Sequence, residues 1–448
     1  MGSYEKIFKA YDVRGIVPDE LDEDVAESVG AAFVRLTGAP SVVTVHDMRT
    51  SSRPLAEAFA RGATSQGADV IEGGLGSTDV LYYASGSLGM PGAMITASHN
   101  PAKYNGIKLC REGARPVGRD TGLIELRDAA AQGLPPYHGT PGVVVQRDLL
   151  SGYASHLKKL VDLSAIRPLK VAVDAGNGMA GHTVPKVFEG LPITVVPLYF
   201  ELDGTFPNHE ANPIDPENLR DLQRAVIDSG ADIGLAFDGD ADRCFVVDER
   251  GAVVSPSVLT ALIAVRELAR EPGAAVIHNL ITSRAVPEII TEHGGIPIRT
   301  RVGHSFIKAR MAETGAVFGG EHSGHFYFRD FWYADSGMLA ALHVLAALGE
   351  QDAPLSDVLA GYGRYVATGE LNSEVADQAG ATARVRAEFA ARPGVTFDEL
   401  DGLTVTGDGW WFNLRPSNTE PLLRLNLEAS DEDTMLRLRD EVLGIVRG

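Results

Sequence analysis

Short runs rich in valine and isoleucine alternate along the chain with segments whose apolar residues recur at helical spacing. Ser41–Val45 precedes a helical pattern over Pro54–Gln66, Leu169–Val173 one over His182–Phe188, and Ile193–Leu198 a longer one over Pro216–Ser229. Ala274–Ile277 precedes Ser283–Glu292, and Ile296–Arg299 precedes His304–Thr314. Such alternation predicts mixed or mostly parallel sheets covered by helices. The pattern restarts after about Arg147 and again after about Gly251, which predicts three α/β mixed-sheet domains, divergent copies of one unit, although no sequence period is visible. From Tyr365 the order changes to strand-like Val366–Val375, a helix over Gln378–Ala391, strand-like Gly409–Leu414 and Pro421–Leu427, and an acidic-capped helix over Asp431–Val446. That is a smaller α+β domain. The expected division is 1–146, 147–250, 251–364 and 365–448.

The length agrees with several domains, because 448 residues exceed the ~250–300 at which single cores stop growing. A formal charge of −20 disfavours nucleic acid and anionic membrane as partners. It would also repel a phosphate ester at long range, so such a ligand needs arginines and lysines gathered in one cleft. The longest apolar helical stretch, Met338–Leu348 with His343 inside it, is too short to span a bilayer and reads as a buried helix. Two cysteines, Cys110 and Cys244, fit a reducing compartment. The first residues, Met1–Lys6, contain no apolar run that would serve as a secretory signal, so the expected location is cytoplasmic. No coiled coil or swapped arm that would set an oligomeric state is visible.

Four stretches carry chemistry. Thr96-Ala97-Ser98-His99-Asn100-Pro101 follows the apolar Ala93–Ile95 and ends in a turn signal, so a hydroxyl sits at a sheet edge. No G-x-S-x-G elbow surrounds Ser98, which leaves an α/β-hydrolase without support. Tyr104–Lys108 returns as a hairpin strand and can bring the Lys108 amine near the serine. Asp238-Gly239-Asp240-Ala241-Asp242-Arg243 lies between two apolar strands, and three carboxylates this close repel unless a cation neutralises them. An EF-hand loop is the sharper rival, since Glu249 is twelfth from Asp238; Arg243 at the glycine position and flanking strands argue against it. A magnesium site with few protein ligands fits better, with Arg243 beside a phosphate. Gly320-Glu321-His322-Ser323-Gly324-His325 offers donors and acceptors suited to sugar hydroxyls. Zinc on its histidines lacks a third ligand at the usual spacing. Arg415-Pro416-Ser417-Asn418-Thr419-Glu420 can cradle an anion. Tyr11–Gly15 and His46–Arg49 add cations.

Taken in this order, TASHNP, DGDADR, GEHSGH and RPSNTE resemble the α-D-phosphohexomutase family over essentially the whole chain, most closely its bacterial phosphomannomutase/phosphoglucomutase branch. AYDVRG and VGHSFIK (Val302–Lys308) also match. The resemblance implies four domains around a central cleft, phosphoserine at Ser98, and Mg2+ on Asp238, Asp240 and Asp242 with Ser98 beside it. It implies Glu321 and Ser323 on sugar hydroxyls, and Arg415, Ser417, Asn418 and Thr419 on the phosphate that is not reacting. Tyr11 and Arg243 join the substrate contacts. Lys108, Arg14 and Arg243 add charge at the reacting phosphate; Lys108, His325 and His304 are candidates for proton transfer; His99, Arg49 and Asn100 stand behind them. The substrates implied are mannose and glucose 1- and 6-phosphates, with a hexose 1,6-bisphosphate as intermediate and activator. A loop that reads the 3- and 4-hydroxyls ignores carbon 2, where the two sugars differ. His322 favours the phosphomannomutase branch, whereas glucosamine- or glucose-specific relatives place glutamine or glutamate there. Many relatives carry a lysine in the first strand-helix turn of the third domain; Asn279–Ser283 has none, and Arg284 is the nearest cation. A metal-dependent sugar phosphatase and a non-catalytic sugar-phosphate binder are the alternatives from other classes.

Overall fold

A computed structural model describes residues 2–417 and 422–448, with 2, 3, 304 and 305 described by their backbone alone. Three sheets share one plan. In the first, Asp69–Leu75, Ser41–His46, Gly92–Ile95 and Tyr104–Arg111 lie side by side, two parallel junctions followed by an antiparallel one. In the second, Ile193–Leu198, Leu169–Asp174, Ile233–Phe237 and Cys244–Asp248 repeat that order and sense. Ile296–Thr300, Ala275–Asn279, Phe318–Gly320 and Phe326–Phe328 repeat it again in the third. The parallel strands need helical crossovers, which is why the sequence alternates strand and helix. The fourth sheet is antiparallel throughout, Val366–Glu374, Leu422–Ala429, Trp410–Pro416, Leu403–Gly407 and Thr396–Asp398, with helices Gln378–Ala390 and Glu432–Arg447 beside it.

Several local expectations are adjusted by the backbone. The expected helix over 216–229 begins as a 3-10 turn, Pro216–Leu219, capped by Asp215, and becomes α-helical at Arg220–Ser229. Proline at the first position suits a helix start, where its missing N–H costs nothing. The short strand Val253–Val254 pairs with Cys244–Asp248 and extends the second sheet past residue 250, the boundary expected from the pattern. Strands Thr396–Asp398 and Leu403–Gly407 were not anticipated.

The apolar stretch near His343 is the helix Gly337–Gly349, buried at every residue. Its Leu342 and Leu345 join a single apolar cluster that includes Val43 and Leu81 of the first domain, Leu157 and Val173 of the second and Leu262 of the third. The fourth domain keeps a separate core around Phe389, Phe412, Leu425 and Val442. Among the described residues no helix is long and apolar enough to cross a membrane.

Candidate active site

Because the three sheets share a plan, the turn between the third and fourth strands of each falls at an equivalent place. In the first domain that turn carries Ser98, in the second the three aspartates, in the third Glu321–His325. The three turns converge.

Ser98 sits at φ +50°, a left-handed conformation uncommon outside glycine and asparagine, and is 2% exposed. Its N–H donates to Thr96 Oγ1 at 2.9 Å. Arg49 holds the turn by its carbonyls: the guanidinium donates to the oxygens of Ser98 (2.8 Å), Asn100 (2.6 Å), Pro101 (3.0 Å) and Tyr104 (3.0 Å). Asp47 lies 3.2 Å from Arg49 Nε and balances its charge. Burial pushes the Asp47 carboxyl up and the Arg49 guanidinium down, against their attraction for each other. The Ser98 hydroxyl donates to Asp238 Oδ2 at 2.8 Å and lies 3.2 Å from His99 Nδ1. His99 in turn is 2.9 Å from Arg243 Nη2, and that charge, with burial, keeps the imidazole neutral. Arg14 reaches Asn100 Oδ1 at 2.6 Å and pairs with Asp12.

The aspartate turn presses directly on the serine turn. A Cβ on Gly239 would lie 2.4 Å from the Ser98 carbonyl oxygen, so only glycine permits this approach. Lys108, on the strand antiparallel to Gly92–Ile95, reaches past the serine to the aspartates: Nζ is 2.6 Å from Asp240 Oδ2 and 2.6 Å from Asp242 Oδ2. Asp240 Oδ2 also accepts from the Thr78 hydroxyl at 2.5 Å. Asp240 Oδ1 and Asp242 Oδ1 are buried with no hydrogen-bond partner. Burial, then repulsion by Asp242 and Asp240, drives the Asp238 carboxyl up to about 8. Burial acts on Asp240 in the same direction, but Lys108 overrides it and holds that carboxyl low. Two orphaned carboxylate oxygens in an all-oxygen set are what a hard divalent cation would satisfy, so the residues fit a magnesium ion. Among the described residues a second set, Asp242, His325 and Asp335, is also close enough to share an ion, but Asp335 Oδ1 already lies 2.6 Å from the Lys308 ammonium.

In the third turn the Glu321 carboxylate accepts from Tyr327 Oη (2.8 Å), Gly303 N (3.2 Å), Ser323 Oγ (3.3 Å) and Asn279 Nδ2 (3.4 Å). His325 Nδ1 faces Asp335 Oδ2 at 3.1 Å and Asp242 Oδ1 at 3.8 Å. Burial works against the imidazolium, but Asp242 and Asp335 outweigh it and the pKa is raised. The second and third turns are stitched by a β-bridge between Arg243 and His325. Tyr11 approaches Gly303, where an added Cβ would lie 3.1 Å from the phenol oxygen.

Arg415 lies near the end of the strand Trp410–Pro416 of the fourth domain, 3.5 Å from Glu370 Oε2 and 3.8 Å from Asp401 Oδ2, and Ser417 N donates to Leu422 O at 2.8 Å. Asn418 and Thr419 lie outside the described residues, as does the side chain of His304. Arg284 is engaged elsewhere: its backbone N–H donates to Glu428 Oε1 at 3.1 Å and its guanidinium stacks on Tyr365. The structure adds Thr78, Lys308, Tyr327 and Asp335, which sequence reasoning passed over. Lys308 lay inside a matched stretch, and Asp335 precedes Ser336-Gly337 at a helix start; neither pattern marks an active site by itself.

Three α/β units of one plan, an antiparallel fourth, and a serine held against three aspartates beside the Glu321–His325 turn define a phosphohexomutase. The chain belongs to the α-D-phosphohexomutase family. Family models described as phosphoglucomutase/phosphomannomutase alpha/beta/alpha domains I, II and III match residues 5–132, 151–251 and 256–365, and that of the C-terminal domain matches 370–445. It is 41% identical over 444 residues to a protein named "Phosphohexose mutases" from Xanthomonas campestris pv. campestris, covering 98% of this chain and 99% of that one. It is 40% identical over 445 residues to the phosphomannomutase of Escherichia coli strain K12, covering 97% of each. The crystal structure of a phosphoglucomutase/phosphomannomutase family protein from Burkholderia thailandensis superposes with a TM-score of 0.90 at 34% identity, covering 99% of this chain and 97% of that one.

Proposed function

We propose that the protein interconverts the 1- and 6-phosphates of mannose, and also of glucose, through phosphoserine at Ser98 and a hexose 1,6-bisphosphate. One observation carries the reading: the Ser98 hydroxyl, 2.8 Å from Asp238, adjoins carboxylates with two unpartnered oxygens. Phosphoserine-98 gives its phosphoryl group to the free 6- or 1-hydroxyl. The P–O bond to the serine breaks, a P–O bond to the sugar forms, and the hydroxyl proton passes to a base. His325 suits that task, since Asp335 engages Nδ1 and leaves Nε2 for the sugar. Lys108 is the weaker candidate, because its ammonium lies 2.6 Å from each of two carboxylates, whereas His325 Nδ1 lies 3.1 and 3.8 Å from its own pair. A magnesium ion on Asp238, Asp240 and Asp242 would neutralise the phosphoryl oxygens and the departing serine oxygen. Arg14 and Arg243 flank the same place as fixed cations. The bisphosphate then turns over, so that its other phosphate faces Ser98 and returns the phosphoryl group to it. Glu321 and Ser323 hold the 3- and 4-hydroxyls in both orientations, while Arg415, Ser417, Asn418 and Thr419 grip the phosphate that is not reacting. His322, which lines the crevice between the third and fourth domains, accords with the mannose branch.

The test is a coupled assay on mannose 1-phosphate and glucose 1-phosphate with magnesium and a trace of the matching 1,6-bisphosphate. Conversion of both, dependent on magnesium and stimulated by the bisphosphate, is expected. Conversion of glucosamine phosphate alone would overturn the substrate assignment, and release of free phosphate without isomerised sugar would replace the mutase with a phosphatase.

A further inference from the structure

The strand-helix turn Gly76-Ser77-Thr78-Asp79 of the first domain reaches into the aspartate turn of the second. Thr78 N donates to the Asp240 carbonyl at 3.0 Å, and the Thr78 hydroxyl donates to Asp240 Oδ2 at 2.5 Å. Thr78 thus grips both the backbone and the side chain of one residue across a domain boundary. With Lys108 on the same oxygen, Oδ2 is fully used, and Oδ1 is left as the buried, unpartnered atom. Two donors on one oxygen resist rotation of the carboxylate and so restrict the direction of the other oxygen. The turn that supplies Thr78 is itself fixed. Asp79 Oδ2 accepts from Tyr153 Oη at 2.6 Å and from Ser336 Oγ at 2.6 Å, and the Ser77 hydroxyl donates to Oδ1. Tyr153 belongs to the second domain, and Ser336 to the third, where it caps the helix Gly337–Gly349. Thr78 also opens the helix Thr78–Leu88, whose positive end favours the Asp240 carboxylate.

We infer that Thr78 is a positioning residue for the divalent cation: it aims Asp240 Oδ1 from the neighbouring domain without touching ion or substrate. The inference rests on the reading of the three aspartates as cation ligands. Partners that orient a metal-binding carboxylate typically contribute 10–100-fold to affinity, and loss of the hydroxyl removes one of the two groups on Oδ2.

The experiment measures Mn2+ binding by electron paramagnetic resonance, in the absence of sugar phosphate, for wild type, Thr78→Val and Thr78→Ser, with thermal melting of the metal-free proteins as a folding control. Thr78→Val is expected to bind Mn2+ about tenfold or more weakly, and Thr78→Ser, which keeps the hydroxyl, to stay close to wild type. Equal affinity in the valine variant overturns the role of Thr78, and so does a serine variant as weak as the valine one. Wild type that binds no Mn2+ overturns the cation site itself, a result distinct from either. If the valine variant does not fold, the same comparison between Thr78→Ala and Thr78→Ser decides the question.

Discussion

The junction among the first three domains and the junction between the third and fourth are built differently. The first is a continuous apolar core crossed by buried polar bonds, Thr78 on Asp240 and Asp79 on Tyr153 and Ser336, and closed by the tight packing of Gly239 on the Ser98 carbonyl. The second joins two separate cores through polar contacts. Val302 N donates to Asp401 at 3.2 Å, Arg299 pairs with Asp398 at 2.5 Å, and a crevice of about 220 Å³ lined by Tyr362, Tyr365, Trp411 and His322 remains between them. Breaking an apolar core costs far more than exchanging exposed ion pairs for water. The difference assigns rigidity and mobility to separate parts of the site. The serine, the aspartates and His325 share one body. Arg415 rides on another, the fourth domain with its separate core.

The largest effect should come from the centre of the rigid body. Ser98→Ala is expected to lower kcat by about 10⁴-fold or more with the melting temperature little changed; steady-state kinetics near wild type would remove the serine from the mechanism. Next is Arg49→Met. It strips donors from four carbonyl oxygens and leaves Asp47 buried without its cation, for an expected loss of about 3–5 kcal/mol in denaturant unfolding. A loss below about 1 kcal/mol would show that the serine turn holds itself.

Asp79 sharpens the comparison through pH. Burial raises its pKa from 3.8 to about 6, against the bonds from Ser336, Ser77 and Tyr153. The folded protein therefore binds this proton more tightly than the unfolded chain. The contribution is complete below the unfolded value and is lost as pH rises through the folded one, roughly 3 kcal/mol between about pH 4 and pH 6. Asp79→Asn should remove that part of the pH dependence. Parallel melting curves for wild type and variant across the window would contradict the assignment. The smallest effect is expected at the other junction, where Arg299→Ala removes a half-exposed pair and should cost less than about 1 kcal/mol. A larger loss would mean that the fourth domain is locked like the others.

What could be read from the chain follows the range of the interactions involved. Alternating strands and helices show in local periodicity, so the three α/β units and the buried helix around His343 were legible. Strands Thr396–Asp398 and Leu403–Gly407 were not, because each is short and a turn at Asp401-Gly402 separates them. Ser98, the three aspartates and Glu321 stood out through residue chemistry in compact turns. Arg49 was anticipated as a supporting residue, but its grip on four carbonyl oxygens depends on how the chain returns at Tyr104. Thr78 and Asp79 were invisible, because their partners belong to other domains: Asp240 is 162 residues from Thr78, and Ser336 is 257 residues from Asp79. Nothing local in Ser77-Thr78-Asp79 distinguishes it from an ordinary helix start.

The most direct test of the central claim is mass spectrometry of the Ser98 peptide after incubation with glucose 1,6-bisphosphate and magnesium. The account predicts phosphate on Ser98, discharged when hexose monophosphate is added in excess and absent in Ser98→Ala. Turnover with no phosphate at Ser98, or with phosphate on another residue, would contradict it.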